Sequence, residues 1–146
     1  MEHQLIARLL LALFCALQGA STALIDLNRT HATHPGWMGH ARFHLVWQTS
    51  TIVALSLFEI ALLLTPGPFL EKRFYVSAIL AAVPMLGFFA ALAFSKLYGG
   101  TLSDPRGMPQ RVMRLRGVHL RIDLNLAAEI AAILSLAVII AIYRAH

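Results

Sequence analysis

The stretch FYVSAILAAVPMLGFFAALAFS, Phe74 to Ser95, runs for 22 residues without a charge. A helix rises about 1.5 Å per residue, so about 20 apolar residues cross a hydrocarbon core about 30 Å thick. This segment is therefore a transmembrane helix by length and composition. Three more stretches read the same way. Leu9 to Ile25 has no charge, Leu45 to Leu70 has only Glu59, and Leu124 to Tyr143 has only Glu129. The fold class that follows is all-α, an integral membrane bundle of four transmembrane helices. The spans fall at about 4–24, 45–65, 74–96 and 119–143 of one domain covering 1–146.

Composition agrees with that reading. The chain is 58% hydrophobic and 13% charged, against about 45–50% and 25% in an average soluble domain. Too little chain remains for an added soluble domain of ordinary size. A net charge of +5 would suggest nucleic acid in a soluble protein. Here the basic residues flank the spans, where they set topology, so the expected partner is the lipid bilayer and not nucleic acid. Cys15 is the single cysteine, which excludes an intrachain disulfide and a cysteine metal cluster. Gly19, Ala20, Ser21 and Ala23 resemble a signal cleavage region. Against cleavage, Glu2 stands beside Arg8 and the apolar block is longer than a usual signal core, so a retained first helix is expected.

Proline and glycine mark the breaks. Pro35-Gly36 precedes the second helix, expected from about Trp37, and Pro66-Gly67-Pro68 ends it, because proline lacks an amide hydrogen and its predecessor avoids helical geometry. The third helix should run from about Phe74 to Tyr98, ahead of Gly99-Gly100. The fourth should start near Val118. With four spans the termini share a side with the 66–73 turn. That side holds four Lys and Arg and the other side eight, so the two long connections are expected to be cytoplasmic and both termini non-cytoplasmic. Small residues at four-residue spacing, Gly87-Ala91-Ser95 and Ala127-Ala131-Ser135, suggest close helix packing inside the bundle. A homo-oligomer interface is the alternative.

Polar chemistry gathers between the first two spans. Four of the seven histidines, His31, His34, His40 and His44, fall within 14 residues. His40 and His44 are one helical turn apart, and Gln48, Thr51 and Glu59 continue that stripe into the membrane. Inserting a carboxylate such as Glu59 costs roughly 2.5–3.5 kcal/mol on insertion scales for Asp. It should therefore face the bundle, as either an internal hydrogen-bond donor or a functional acid.

In a fourth helix that starts near Val118, His119 and Asp123 are one turn apart, beside a ladder of Arg121, Asn125 and Glu129. From the same side these would meet the histidines. The expected catalytic set is His44, His119, Asp123 and Glu59. The expected metal set is His40, His44, His119 and Asp123, with His31 and His34 as additional ligands; His3 and His146 take no part. Imidazoles and a carboxylate at one-turn spacing suit a single Zn, Fe or Cu ion or an acid–base relay. A histidine-bound di-iron centre needs more histidine boxes than this chain has. Trp37, Phe43 and Trp47 either anchor the interface or wall a site for an apolar substrate. Asn28-Arg29-Thr30 fits a glycosylation pattern but lies on the expected cytoplasmic side.

The four-span layout, with His34-Pro35, Trp37, Arg42 and Gln48 in the first connection and His119, Arg121 and Asn125 before the last span, resembles the small DoxX-like and anthrone-oxygenase-like membrane proteins. That resemblance implies an oxidoreductase. Two functions are thus expected from different classes. One is a membrane oxidoreductase or related enzyme acting on an apolar small molecule such as a quinone or polycyclic aromatic. The other is a non-enzymatic membrane subunit, small transporter or proton-relay protein.

Overall fold

The computed structural model describes residues 2–103, 111–115 and 118–145, with side chains of 111–121 left aside. Four long helices dominate it: α1 Glu2–Asp26, α2 Gly39–Leu64, α3 Leu70–Ala93 and, last in the chain, a helix over Leu124–Arg144. Each is long and apolar enough to cross a membrane. The protein is an all-α integral membrane bundle, as its apolar stretches require.

Between α3 and the last helix the chain makes a short helix α4 (Ser95–Tyr98) and two antiparallel strands, β1 (Arg111–Leu115) and β2 (Val118–Ile122). The last helix is therefore α5, Leu124–Arg144. Two expectations change here. The third helix does not continue to Tyr98, because its regular hydrogen bonding ends at Ala93 and Phe94 sits at φ −99° and ψ 8° before α4 begins. The fourth does not start near Val118. Val118-His119-Leu120-Arg121-Ile122 alternates apolar and basic residues with the period of a strand, and it pairs with β1 from Leu115↔Val118 to Arg111↔Ile122. Asp123 then caps α5, its side chain accepting from the Asn125 and Leu126 amides. That is the ordinary work of an Asp at a helix N-cap.

The core is small, since lipid covers most of what an apolar bundle exposes. Ala7, Leu11, Ala12, Cys15 and Gly19 form the buried face of α1; Thr49, Ser56, Glu59 and Leu63 form that of α2. Small and polar residues thus line the α1–α2 contact. Helices in lipid gain little from apolar burial against each other and associate through close backbone approach and polar contacts instead. At the α1 start, the Arg8 guanidinium donates to the Leu63 carbonyl, and Arg73 Nη1 donates to Thr65 O at 2.9 Å. Two cations therefore meet the carbonyl end of α2, where the helix dipole favours them. Phe74 of α3 stacks on Tyr143 of α5 at 3.8 Å between ring centroids.

The expected packing stripes face outward. A Cβ at Gly87 would meet nothing within 4 Å, and Ala91, Ala127, Ala131 and Ser135 are exposed. Phe74, Ser77, Ala78, Ala81 and Met85 are the buried residues of α3, and Leu136, Ile139 and Tyr143 those of α5. Residue size marks a surface that permits close approach, but the neighbours' positions decide which face is used.

Candidate functional site at the α1–α2 end of the bundle

The connection after α1 is tied by its own side chains. Asn28 Nδ2 donates to Leu24 O at 3.0 Å, and Asn28 Oδ1 accepts from the Thr30 amide at 2.7 Å and the Thr30 hydroxyl at 2.6 Å. The Thr30 hydroxyl has one proton, and Asn28 Oδ1 takes it. His31 Nδ1, 2.8 Å from Thr30 Oγ1, must therefore be the donor in that contact. When the ring is neutral this leaves a lone pair on His31 Nε2. His34 has the opposite tautomer when neutral: its Nδ1 accepts from the Gly36 amide at 3.1 Å, so its Nε2 carries the proton. Trp37 meets both rings, edge-on to His31 at 5.6 Å and tilted to His34 at 6.4 Å.

The first turns of α2 carry a second group. His40 and His44 point their Nε2 atoms at each other, 3.1 Å apart, with rings perpendicular at 4.5 Å. One ring donates and the other accepts, so the two are joined by an N–H···N hydrogen bond. Phe43 stands 6.1 Å and Trp47 5.8 Å from the His44 ring, and the two are 6.4 Å from each other. Phe43 and Trp47 are more than half exposed, at 64% and 60%. Arg42 Nε reaches back to Trp37 O at 3.0 Å and joins the two groups. The result is an open row of rings at the end of the bundle.

Glu59 and Asp123 do not join this row. Glu59 is separated from His44 by depth: Gln48 and Thr51 are exposed near the start of α2, while Glu59, deeper in the bundle, is 1% exposed. The 15 residues from His44 turn the helix only about 60° beyond four full turns, but they place Glu59 about 22 Å away along the axis, too far to join the rings. Asp123 Oδ1 is occupied at 3.0 and 3.1 Å by the α5 amides. His119 lies in a strand, so it has no one-turn relation to Asp123; its side chain, and hence its distance from His44, lies outside the described residues.

Two zinc-bound imidazole nitrogens stand about 3.3 Å apart, given Zn–N distances of about 2.0–2.1 Å and tetrahedral angles. The His40–His44 spacing of 3.1 Å fits such a chelate. Among the described residues, however, no group of three or more His, Cys, Asp or Glu gathers at metal-ligand spacing.

One polar feature escaped the stripe reading. Along the α1–α2 contact, Thr49 Oγ1 donates to Asp26 Oδ2 at 3.2 Å, Gly19 lies against Ser56, and Cys15 lies beside Glu59. Ser77 Oγ of α3 reaches Glu59 O at 3.5 Å, and Gln18 Nε2 donates to Ala81 O at 3.1 Å. The signal was present as Thr49, Ser56 and Leu63, seven residues apart, a spacing that keeps one face of a helix.

No protein-family model matches the chain, nor does any curated protein or solved structure. The class is defined by the fold itself: a multi-pass membrane protein with a histidine-bearing connection between its first two spans.

Proposed function

We propose that the protein is a small membrane oxidoreductase or related enzyme that takes a flat apolar molecule, such as a quinone or polycyclic aromatic, from the bilayer interface. The molecule stacks on Phe43 and Trp47, and the His40–His44 pair gives or takes the proton that accompanies its chemistry. The carrying observation is the 3.1 Å Nε2–Nε2 contact set among open aromatic rings. A hydrogen-bonded imidazole pair beside a stacking surface suits proton-coupled work on a planar carbonyl compound. His31 Nε2, with its lone pair, is the further base on the connection. A single metal ion held by His40 and His44 is the cofactor this pair could hold. In this reading both long connections are cytoplasmic and both termini are not.

The test is direct binding. In a Trp37→Phe background, a short-chain quinone titrated into the protein in detergent should quench Trp47 fluorescence to saturation, and Phe43→Ala should weaken the quenching. Linear, unsaturable quenching that equals that of free tryptophan would reject the site.

A further inference from the structure

The carboxyl of Glu59 is 1% exposed and its Oε2 has no hydrogen-bond partner among the described residues; the same holds for the Oγ of Ser56, which is 3% exposed and one turn away on the same helix. Orphaned buried polar atoms each cost about 1–3 kcal/mol. Close packing on Gly19 accounts for a small residue at Ser56, but it does not call for a carboxyl at Glu59. Carboxylates inside a membrane mark sites of ion or proton handling by default.

The surroundings decide what is handled. Beside the Glu59 carboxyl is the Cys15 thiol from α1, while the Ser77 hydroxyl of α3 donates to the Glu59 backbone carbonyl. Arg8, near the next turn of α2, is committed to the Leu63 carbonyl. Among the described residues no ion pair reaches the carboxyl. The groups near it that can donate and accept are the Cys15 thiol and, one turn away, the Ser56 hydroxyl.

Those groups also form a line. From the α1–α2 end inward, the contact carries Asp26 with Thr49, half-buried Thr22, Ser56 against Gly19, and then Glu59 with Cys15. Asp26 and Thr49 mark its outer end. Thr49 and Ser56 are about 10 Å apart along the helix axis and Ser56 and Glu59 about 5 Å, spans that one to three hydrogen-bonded waters cover. The remaining buried residue of α2, Leu63, is apolar, so the line stops at the carboxyl.

We infer that the α1–α2 seam is a proton path that opens at Asp26 and Thr49 and ends on Glu59, a protonatable site inside the bundle. Glu59 takes its proton from, and returns it to, the side of the membrane where α1 ends. This does not depend on the reading of the histidine row, which lies on the exposed face of α2.

The experiment is infrared difference spectroscopy of the full chain in liposomes. Wild type should show the carbonyl stretch of a protonated carboxylic acid, lost in Glu59→Gln and kept in Glu129→Gln, which removes the carboxyl of α5. On transfer to D2O that band should shift within the dead time of mixing. Thr49→Val and Ser56→Ala should each slow the shift at least about tenfold, the effect of about 1.4 kcal/mol added to the barrier, without removing the band. A band that exchanges over hours, or one that neither substitution slows, overturns the path. So does absence of the band from wild type, since Glu59 would then be ionised and hold a cation instead of a proton. Where Glu59→Gln fails to fold, dicyclohexylcarbodiimide, an apolar reagent that consumes protonated carboxyls, assigns the wild-type band. An adduct on Glu59 with loss of the band supports the inference, and loss of the band with the adduct elsewhere overturns it.

Discussion

Gly19 of α1 rests so closely on Ser56 of α2 that a Cβ built on the glycine would stand 2.9 Å from both the Cβ and the Oγ of the serine. No real Cβ sits that near, so the first two spans can meet here only because one residue has no side chain. The contact sits between the Asp26–Thr49 hydrogen bond and the Cys15–Glu59 neighbourhood. It therefore sets the separation of both.

Gly19→Ala should push the helices apart or force Ser56 out of place, costing about 1–3 kcal/mol as overpacking does. Gly19→Leu should cost more and shorten the lifetime of the folded protein in detergent. Gly87→Ala is the matched control: its Cβ meets nothing within 4 Å, and its melting temperature should stay near wild type. Equal melting temperatures for all three variants would reject the close contact.

The four spans could be read from the sequence because length and charge-free composition alone specify a membrane helix. Helix faces could not. Gly87, Ala91 and Ser95 have the spacing of a packing stripe, yet the neighbours of α3 sit on the side of Ser77 and Ala81. His44 and Glu59 lie within about 60° of each other round α2, and what separates them is depth, since the start of the helix is exposed and Glu59 is buried. The strand over Val118–Ile122 was hidden by its position directly before an apolar helical run, where Asp123 was the one residue signalling a boundary. Of the expected site, the His40–His44 pair was legible from one-turn spacing, whereas any convergence with α5 depended on where that helix begins.

Asp123 separates capping from chemistry. Asp123→Asn should leave stability unchanged, since Asn caps as well as Asp, while Asp123→Ala should cost about 0.5–2 kcal/mol. Thermal denaturation followed by circular dichroism reads both. A loss in Asp123→Asn as large as in Asp123→Ala would mean that the negative charge has work beyond accepting the two α5 amides.

Topology follows from the even number of spans. Reporter fusions at Arg106 and after Arg144 should fall on opposite sides of the membrane, with Arg106 expected to be cytoplasmic from the eight-to-four division of Lys and Arg. A non-cytoplasmic Arg106 with a cytoplasmic C-terminus would keep the fold and invert the proposed side of the histidine row.

Glu59 can be replaced without losing the bundle if shape and hydrogen bonding are kept. Glu59→Gln retains a donor and an acceptor at the same reach, so the folded fraction after extraction should match wild type. Glu59→Ala leaves a cavity at a fully buried position and should lower stability by about 2–4 kcal/mol, within the range for large-to-small core changes. Equal loss in both variants would make the carboxylate itself a structural element.

The last prediction concerns which residues act together at the ring row. His40 and His44 are in direct contact at 3.1 Å, whereas Asp123 spends its carboxylate on the start of α5. Residues in contact are coupled, and residues without shared partners add. With saturable quinone quenching of Trp47 as the readout, His40→Ala and His44→Ala should each weaken binding, and the double substitution should weaken it little further. Asp123→Asn, combined with His44→Ala, should simply add its own small effect. Strong coupling between Asp123 and His44 would mean that the two meet in the working protein, and the four-residue unit of His40, His44, His119 and Asp123 would return. Strict additivity between His40 and His44 would instead dissolve the pair into two separate interfacial imidazoles.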